Sequence, residues 1–195
     1  MNMKDFERII EKEYQDELNN PSDINEHVHD LLKLALDCTH VTEFGSRFGS
    51  STKAFLKAPV SLRAYDLEIH DPLMNLFKMA RKVGKDVEYT QGNTLSLLIE
   101  PTDMIFIDTW HSQKQLRDEL KLHGNAASKY LVFHDTHTYG TRDEQADWAK
   151  NPNRKAMAGQ GLMPAIIDFI IANPHWSFKL HKSNNNGLTV LQRKA

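Results

Sequence analysis

Cysteine is almost absent: Cys38 is the one cysteine among 195 residues. That excludes an intramolecular disulfide framework and any zinc site built on cysteine, and Cys38 itself reads as a small apolar residue on a helix. No apolar run approaches the roughly 18–20 residues of a membrane span. The N-terminus, MNMKDFERIIEKEYQ, mixes acids with bases and has no apolar centre, so it does not read as a signal peptide. Basic runs are missing too, and a formal net charge of −2 gives little electrostatic support for binding nucleic acid. A G-x-G-x-x-G fingerprint is also lacking. In the one glycine-turn candidate, Val41–Thr52 (VTEFGSRFGSST), Arg47 fills the slot of the second glycine, the one that lets a pyrophosphate approach. What remains is a soluble protein expected in the cytoplasm, with no membrane partner and a length suited to one domain, 1–195.

Val41–Thr52 is the stretch that organises the rest. It reads as a short strand ending in an acid, a turn where Gly45 and Gly49 let backbone crowd a ligand, and a helix opened by Ser50, Ser51 and Thr52. Such a turn at the carboxyl end of a strand is where an α/β sheet takes a nucleotide-like cofactor. Before it lies a helical preface over 1–39. Phe6, Ile9, Ile10, Tyr14 and Leu18 fall at helical spacing, and Pro21-Ser22 ends that helix. Asp23 and Glu26 are expected to form a capping box for a second helix, with Ile24, Val28, Leu31, Leu32 and Ala35 as its buried stripe. The preface would cover a sheet edge, close over the cofactor or pair two subunits as a homo-oligomer; His27 and His29 are expected in solvent.

Strands then alternate with helices: strands at 41–44, 62–66, 87–91, 103–108 and 130–134, helices at 50–57, from Asp71-Pro72 to Gly84, through Leu95, Leu98 and Ile99, and at 113–127. This rhythm predicts a parallel sheet with helices on both faces. A polar stretch over 139–160 is long enough for a lid or substrate loop. After a helix over 162–172, WSFKLHK and LTVLQRK flank Ser183-Asn184-Asn185-Asn186-Gly187 and predict an antiparallel hairpin, with the asparagines assigned to the turn.

The pattern Glu43-x-Gly45-x-x-x-Gly49 resembles motif I of the class I S-adenosylmethionine-dependent methyltransferases, and a mostly parallel sheet closed by an antiparallel hairpin is similar to their seven-stranded, Rossmann-like fold. The resemblance spans roughly residues 24–195. It implies S-adenosylmethionine as cofactor. Glu43 would anchor the first turn through its loop or through the ligand's amino group, and Gly45 and Gly49, with Ser46 and Ser51, would admit the amino-acid part. Asp66, with Glu68 as its rival, would accept the ribose hydroxyls; Asn93 would face the adenine amino group, cap the next helix, or do both.

Strand four ends Asp108-Thr109-Trp110-His111-Ser112 and strand five ends His134-Asp135-Thr136-His137, so both ends open on one crevice. These segments resemble a branch with macrolide-sugar O-methyltransferases and cephalosporin-hydroxylase-like proteins, which commonly read F-I-D-x-x-H-S and F-H-D. The resemblance implies Asp108 and Asp135 as ligands of Mg²⁺ or another divalent cation, His134 as a third ligand, and His111 as general base. The chemistry is coherent, because a metal lowers a hydroxyl's pKa and a histidine near neutrality takes the proton. Asp108 would also touch the cofactor. Trp110 replaces the acid that relatives often carry and would wall the adenine; the replacement leaves the metal's full ligand set open. His137 is a further candidate. In the loop, Tyr139, Arg142, Trp148, Asn153 and Arg154 would meet a polar small-molecule acceptor, such as a sugar. The leading expectation is therefore methyl transfer to oxygen. The alternatives are an N- or macromolecule methyltransferase, disfavoured by D-T-W-H where an Asn-Pro-Pro-Tyr-type signature would stand, and a non-catalytic cofactor-binding or assembly module.

Overall fold

Strand β4 (Thr102–Ile107) sends Met104 and Phe106 to one side of the sheet and Ile105 and Ile107 to the other, and all four are buried. A strand apolar on both sides needs cover on both sides. The computed structural model, which describes residues 1–144 and 159–194, supplies it. Met104 and Phe106 join a core with α1 (Met3–Asn19), α2 (Val28–Ala35), α3 (Ser50–Lys57) and α4 (Asp71–Lys82). Ile105 and Ile107 join a second core with α5 (Gln113–His123) and α6 (Leu162–Ala172).

The other strands are β1 (His40–Phe44), β2 (Ser61–Asp66), β3 (Val87–Gln91), β5 (Ala127–His134), β6 (Trp176–Lys182) and β7 (Leu188–Arg193). Their order is β3-β2-β1-β4-β5-β7-β6. The first five run parallel, and β7 lies antiparallel between β5 and β6. Because β1 pairs with both β2 and β4, the order reverses there, which opens a crevice beyond the carboxyl ends of β1 and β4. The expected seven-stranded sheet with its closing hairpin is present. Among the described residues no helix is long and apolar enough to cross a membrane.

Several local expectations need correction. The Asp23/Glu26 capping box does not form. The reciprocal pair is Ser22 and Asn25: Asn25 N–H donates to Ser22 Oγ at 3.0 Å, and Ser22 N–H to Asn25 Oδ1 at 3.1 Å. A single 3-10 turn, Asn25–His27, precedes α2. His27 is fully buried, because Asn184 C=O takes its Nε2 at 2.9 Å. The helix expected through Leu95–Ile99 is one 3-10 turn, Thr94–Ser96, and Leu98 is exposed. Helix α5 stops at His123, one 3-10 turn, Gly124–Ala126, follows, and β5 starts at Ala127, opposite Thr102.

In the preface, α1 and α2 lie on α3, where Lys53 reaches Glu17 at 2.7 Å and Lys57 pairs with Glu11, and Asp30 of α2 also reaches Lys182 of the edge strand β6 at 2.6 Å. The turn between β6 and β7 keeps Asn185, Asn186 and Gly187 at positive φ. It also reaches back over the preface. Asn185 Nδ2 donates to Ser22 C=O at 2.8 Å, Asn186 Nδ2 to Asp23 C=O at 3.2 Å, and Glu26 N–H to Asn185 Oδ1 at 3.1 Å.

Candidate functional site

Residue 45 must be glycine for two reasons. Its φ is +80°, and a Cβ there would overlap the Asp108 carbonyl, so the turn lies directly against the end of β4. Glu43 sits behind this turn, fully buried, with Ser51 Oγ and Thr52 Oγ1 donating to its two oxygens, the latter at 2.7 Å. It therefore anchors the start of α3 through hydroxyls that engage both of its oxygens. Burial pushes its carboxyl up to about 8, against the pull of those two donors. Asp66, at the end of β2, accepts from Ser46 N–H and Arg47 N–H, both at 2.8 Å, and Glu68 N–H reaches its other oxygen at 3.2 Å. Asp66 thus fixes the turn while still lining the crevice.

The crevice has a volume of about 650 Å³. Gly45, Tyr65, Asp66, Asn93, Asp108, Trp110, His111 and Asp135 line it, so most of the expected cofactor and catalytic positions share one hollow. Asn93 is exposed and caps the following turn, with its Oδ1 accepting from Leu95 N–H at 2.9 Å. Ser51 and Ser46 are buried beside it and line a smaller hollow of about 90 Å³, with Asp23, Arg47 and Asp108. Gly49, at φ +91°, starts α3. Trp148, Asn153 and Arg154 lie outside the described residues, as does most of the expected lid; His137 and Arg142 are exposed.

At the carboxyl ends of β4 and β5 the acids and imidazoles converge. His111 Nε2 lies 2.8 Å from Asp135 Oδ2 and 3.3 Å from Asp108 Oδ1, while its Nδ1 lies 3.1 Å from Glu144 Oε2. The His111 ring stacks on Tyr139, with centroids 4.8 Å apart and planes 5° apart. His134 Nδ1 lies 3.2 Å from Asp135 Oδ2 and 3.6 Å from Asp108 Oδ1; its Nε2 is buried with no hydrogen-bond partner among the described residues. Asp135 takes φ +58°, a left-handed conformation that Asp tolerates better than most residues.

Burial opposes charge on both rings, but the hydrogen bonds to the carboxylates outweigh it. His111 is pushed up to about 12 by Asp108, Asp135 and Glu144, and His134 to about 10 by Asp108 and Asp135. Burial likewise pushes the Asp108 and Asp135 carboxyls up, yet bonding to the two rings holds both below their usual range. Two imidazolium rings among three carboxylates make the crevice floor anionic overall.

Glu144 was not singled out in the sequence. It belongs to a polar loop 33 residues from His111, and only the fold brings them together. Its place is fixed from both sides: Glu144 N–H donates to His111 C=O at 2.8 Å, and the neighbouring Asp143 carboxylate accepts from Gln113, Gly159 and Gly161 N–H. A second missed group is Glu119, buried behind the crevice wall formed by Thr94, Thr109 and Gln115, from all three of which it accepts.

No family model and no curated protein sequence matches the chain. Solved structures do. N-methyltransferase NodS from Bradyrhizobium japonicum WM9, in complex with S-adenosyl-L-homocysteine, aligns over 97% of this chain and 99% of its own, with TM-score 0.58 and 15% identity. The S-adenosylhomocysteine-bound methyltransferase PaMTH1 from Podospora anserina aligns over 98% and 87%, with TM-score 0.58 and 15% identity. The O-methyltransferase from Bacillus cereus, in complex with S-adenosylhomocysteine, aligns over 97% and 91%, with TM-score 0.60 and 15% identity. The chain has the class I methyltransferase fold. Since N- and O-methyltransferases both appear among these structures, the fold does not choose the acceptor atom.

Proposed function

We propose that the protein moves a methyl group from S-adenosylmethionine to an oxygen of a small polar acceptor, with sugars and other vicinal diols as the class to try first. The observation that carries this reading is the convergence of Asp108, His111 and Asp135, whose donor atoms lie within 4.8 Å of one another, in the crevice bounded by the glycine turn. The turn would hold the amino-acid part of the cofactor, Asp66 the ribose, and Asn93 and Trp110 the adenine.

The donor set suits a divalent cation. Asp108 and Asp135 offer hard oxygens for Mg²⁺ or Mn²⁺, and the His111 imidazolium already lies where positive charge is wanted. A cation held by the two aspartates would polarise an acceptor hydroxyl and, by neutralising those carboxylates, leave His111 free to work as a neutral base. His134 is a poorer ligand than its neighbour Asp135. Its Nδ1 is engaged by the carboxylates and its Nε2 is enclosed, so we assign it to orienting them.

The remaining work falls to the chain's own side chains. With a cation on the two aspartates, Glu144 would keep the Nδ1–H of His111, and Nε2, which otherwise donates to Asp135 and Asp108, would become the lone-pair nitrogen available to the reacting oxygen. Stacking on Tyr139 fixes the ring plane. General-base assistance is worth roughly 10²–10⁴-fold, and lining up oxygen, methyl carbon and sulfur adds a positioning contribution. The test is titration calorimetry with S-adenosylhomocysteine, together with a methyl-transfer assay on diol and catechol acceptors with Mg²⁺ or chelator. His111→Ala should abolish transfer and preserve cofactor binding. Absence of S-adenosylhomocysteine binding refutes the reading, and binding without transfer to any acceptor favours the non-catalytic module.

A further inference from the structure

Of the lysines and arginines among the described residues, Arg47 alone lines the crevice or the smaller hollow beside it. The neighbouring charges are mostly of the other sign: Asp23, Asp66, Asp108, Asp135 and Glu144 all border the same space. Arg47 Nη1 lies 3.2 Å from Asp23 Oδ2, with both side chains more than half exposed. An exposed pair of this kind contributes little to stability, so the fold does not need it as a brace.

Both partners are nonetheless placed with care, and by unrelated parts of the chain. Arg47 is held at φ +40°, an unfavourable conformation for a side-chain-bearing residue, by its N–H bond to Asp66. Asp23 is fixed by the β6–β7 turn, through Asn186 Nδ2 on its own carbonyl and Asn185 Nδ2 on that of Ser22. A cation from the glycine turn and an anion from the preface therefore meet at the small polar hollow against Gly45 and Asp108.

We propose that Asp23 and Arg47 form a zwitterion clamp for the α-amino-acid end of the cofactor, Arg47 donating to the α-carboxylate and Asp23 accepting from the α-ammonium. The proposal rests on the S-adenosylmethionine reading and adds how the amino-acid end is recognised. A carboxylate entering a crevice with five acids is repelled unless a guanidinium meets it, and Arg offers the two-pronged geometry a carboxylate accepts. The existing pair would open as the ligand's own opposite charges replace each partner.

The test compares three ligands by titration calorimetry without any acceptor: S-adenosylhomocysteine, its decarboxylated amine analogue, and 5′-methylthioadenosine, which lacks the amino-acid end. Arg47→Gln should weaken S-adenosylhomocysteine roughly 10–100-fold, the range of a charge-assisted hydrogen bond, and leave the other two unchanged. Arg47→Lys should recover part of the loss. Asp23→Asn should weaken both amine-bearing ligands by similar factors and spare 5′-methylthioadenosine. Matching melting curves would show that these surface variants stay folded. Equal binding of S-adenosylhomocysteine by Arg47→Gln and the parent, or an equal loss for all three ligands, overturns the clamp. If the parent protein binds none of the three, the cofactor reading itself falls, and that result is distinguishable from either failure.

Discussion

Glu43 is a carboxylic acid sealed under the glycine turn, and this should make the protein's stability depend on pH in an unusual direction. Its folded-state value is pushed from 4.5 up to about 8, chiefly by burial. The unfolded chain gives up this proton near pH 4.5, while the folded protein keeps it to about pH 8. Across that window the native state holds more protons, so stability falls as pH rises; the contribution is full below pH 4.5 and lost by about pH 8. At roughly 1.4 kcal/mol per pH unit, the total is on the order of 5 kcal/mol.

Glu43→Gln copies the neutral acid, with an N–H₂ and a C=O available to the Ser51 and Thr52 hydroxyls. Urea unfolding of parent and variant at half-unit steps from pH 4 to 9 isolates the effect, because every other titration cancels in the difference. The two should be nearly equally stable near pH 4, with the variant gaining steadily until it leads by several kcal/mol at pH 8 and above. A difference that stays flat from pH 4 to 9 would mean that Glu43 is ionised in the folded protein, and the argument that burial outweighs its two hydroxyl donors would fail.

Gly45→Ala should cost at least about 3 kcal/mol in urea unfolding, since a Cβ meets the Asp108 backbone and the φ of +80° is unfavourable for alanine. Asp135→Asn should weaken Mn²⁺ binding, followed by calorimetry, by more than the roughly 10–100-fold typical of losing a supporting partner; with one carboxylate gone, the His111 titration followed by NMR should also move to lower pH. Phe6→Ala should destabilise by about 3–5 kcal/mol with ordinary denaturant dependence, because the Phe6 ring is buried in the same core as α3 and the sheet; a much smaller cost would make α1 a loosely attached arm.

The sheet could be read from the sequence because its signals are local. A run such as Met104–Ile107 buries on both faces whatever else the chain does, and the two alternating segments around Asn186-Gly187 can hardly avoid pairing. Asp108, His111 and Asp135 could be placed together for a related reason: adjacent parallel strands bring their ends to one crevice, so chain position alone implies proximity. What escaped the reading depends on partners far apart in sequence. His27 lies in a stretch as polar as any surface helix and is buried by a carbonyl 157 residues away. Glu144 is an acid in a polar loop until the fold sets it on His111. The general base shows the same limit. Histidine suggests a group near neutrality, but three carboxylates around one ring hold it charged. Whether His111 can accept a proton is therefore decided by the charge of its surroundings, a property of the assembled cluster and not of any one of its residues.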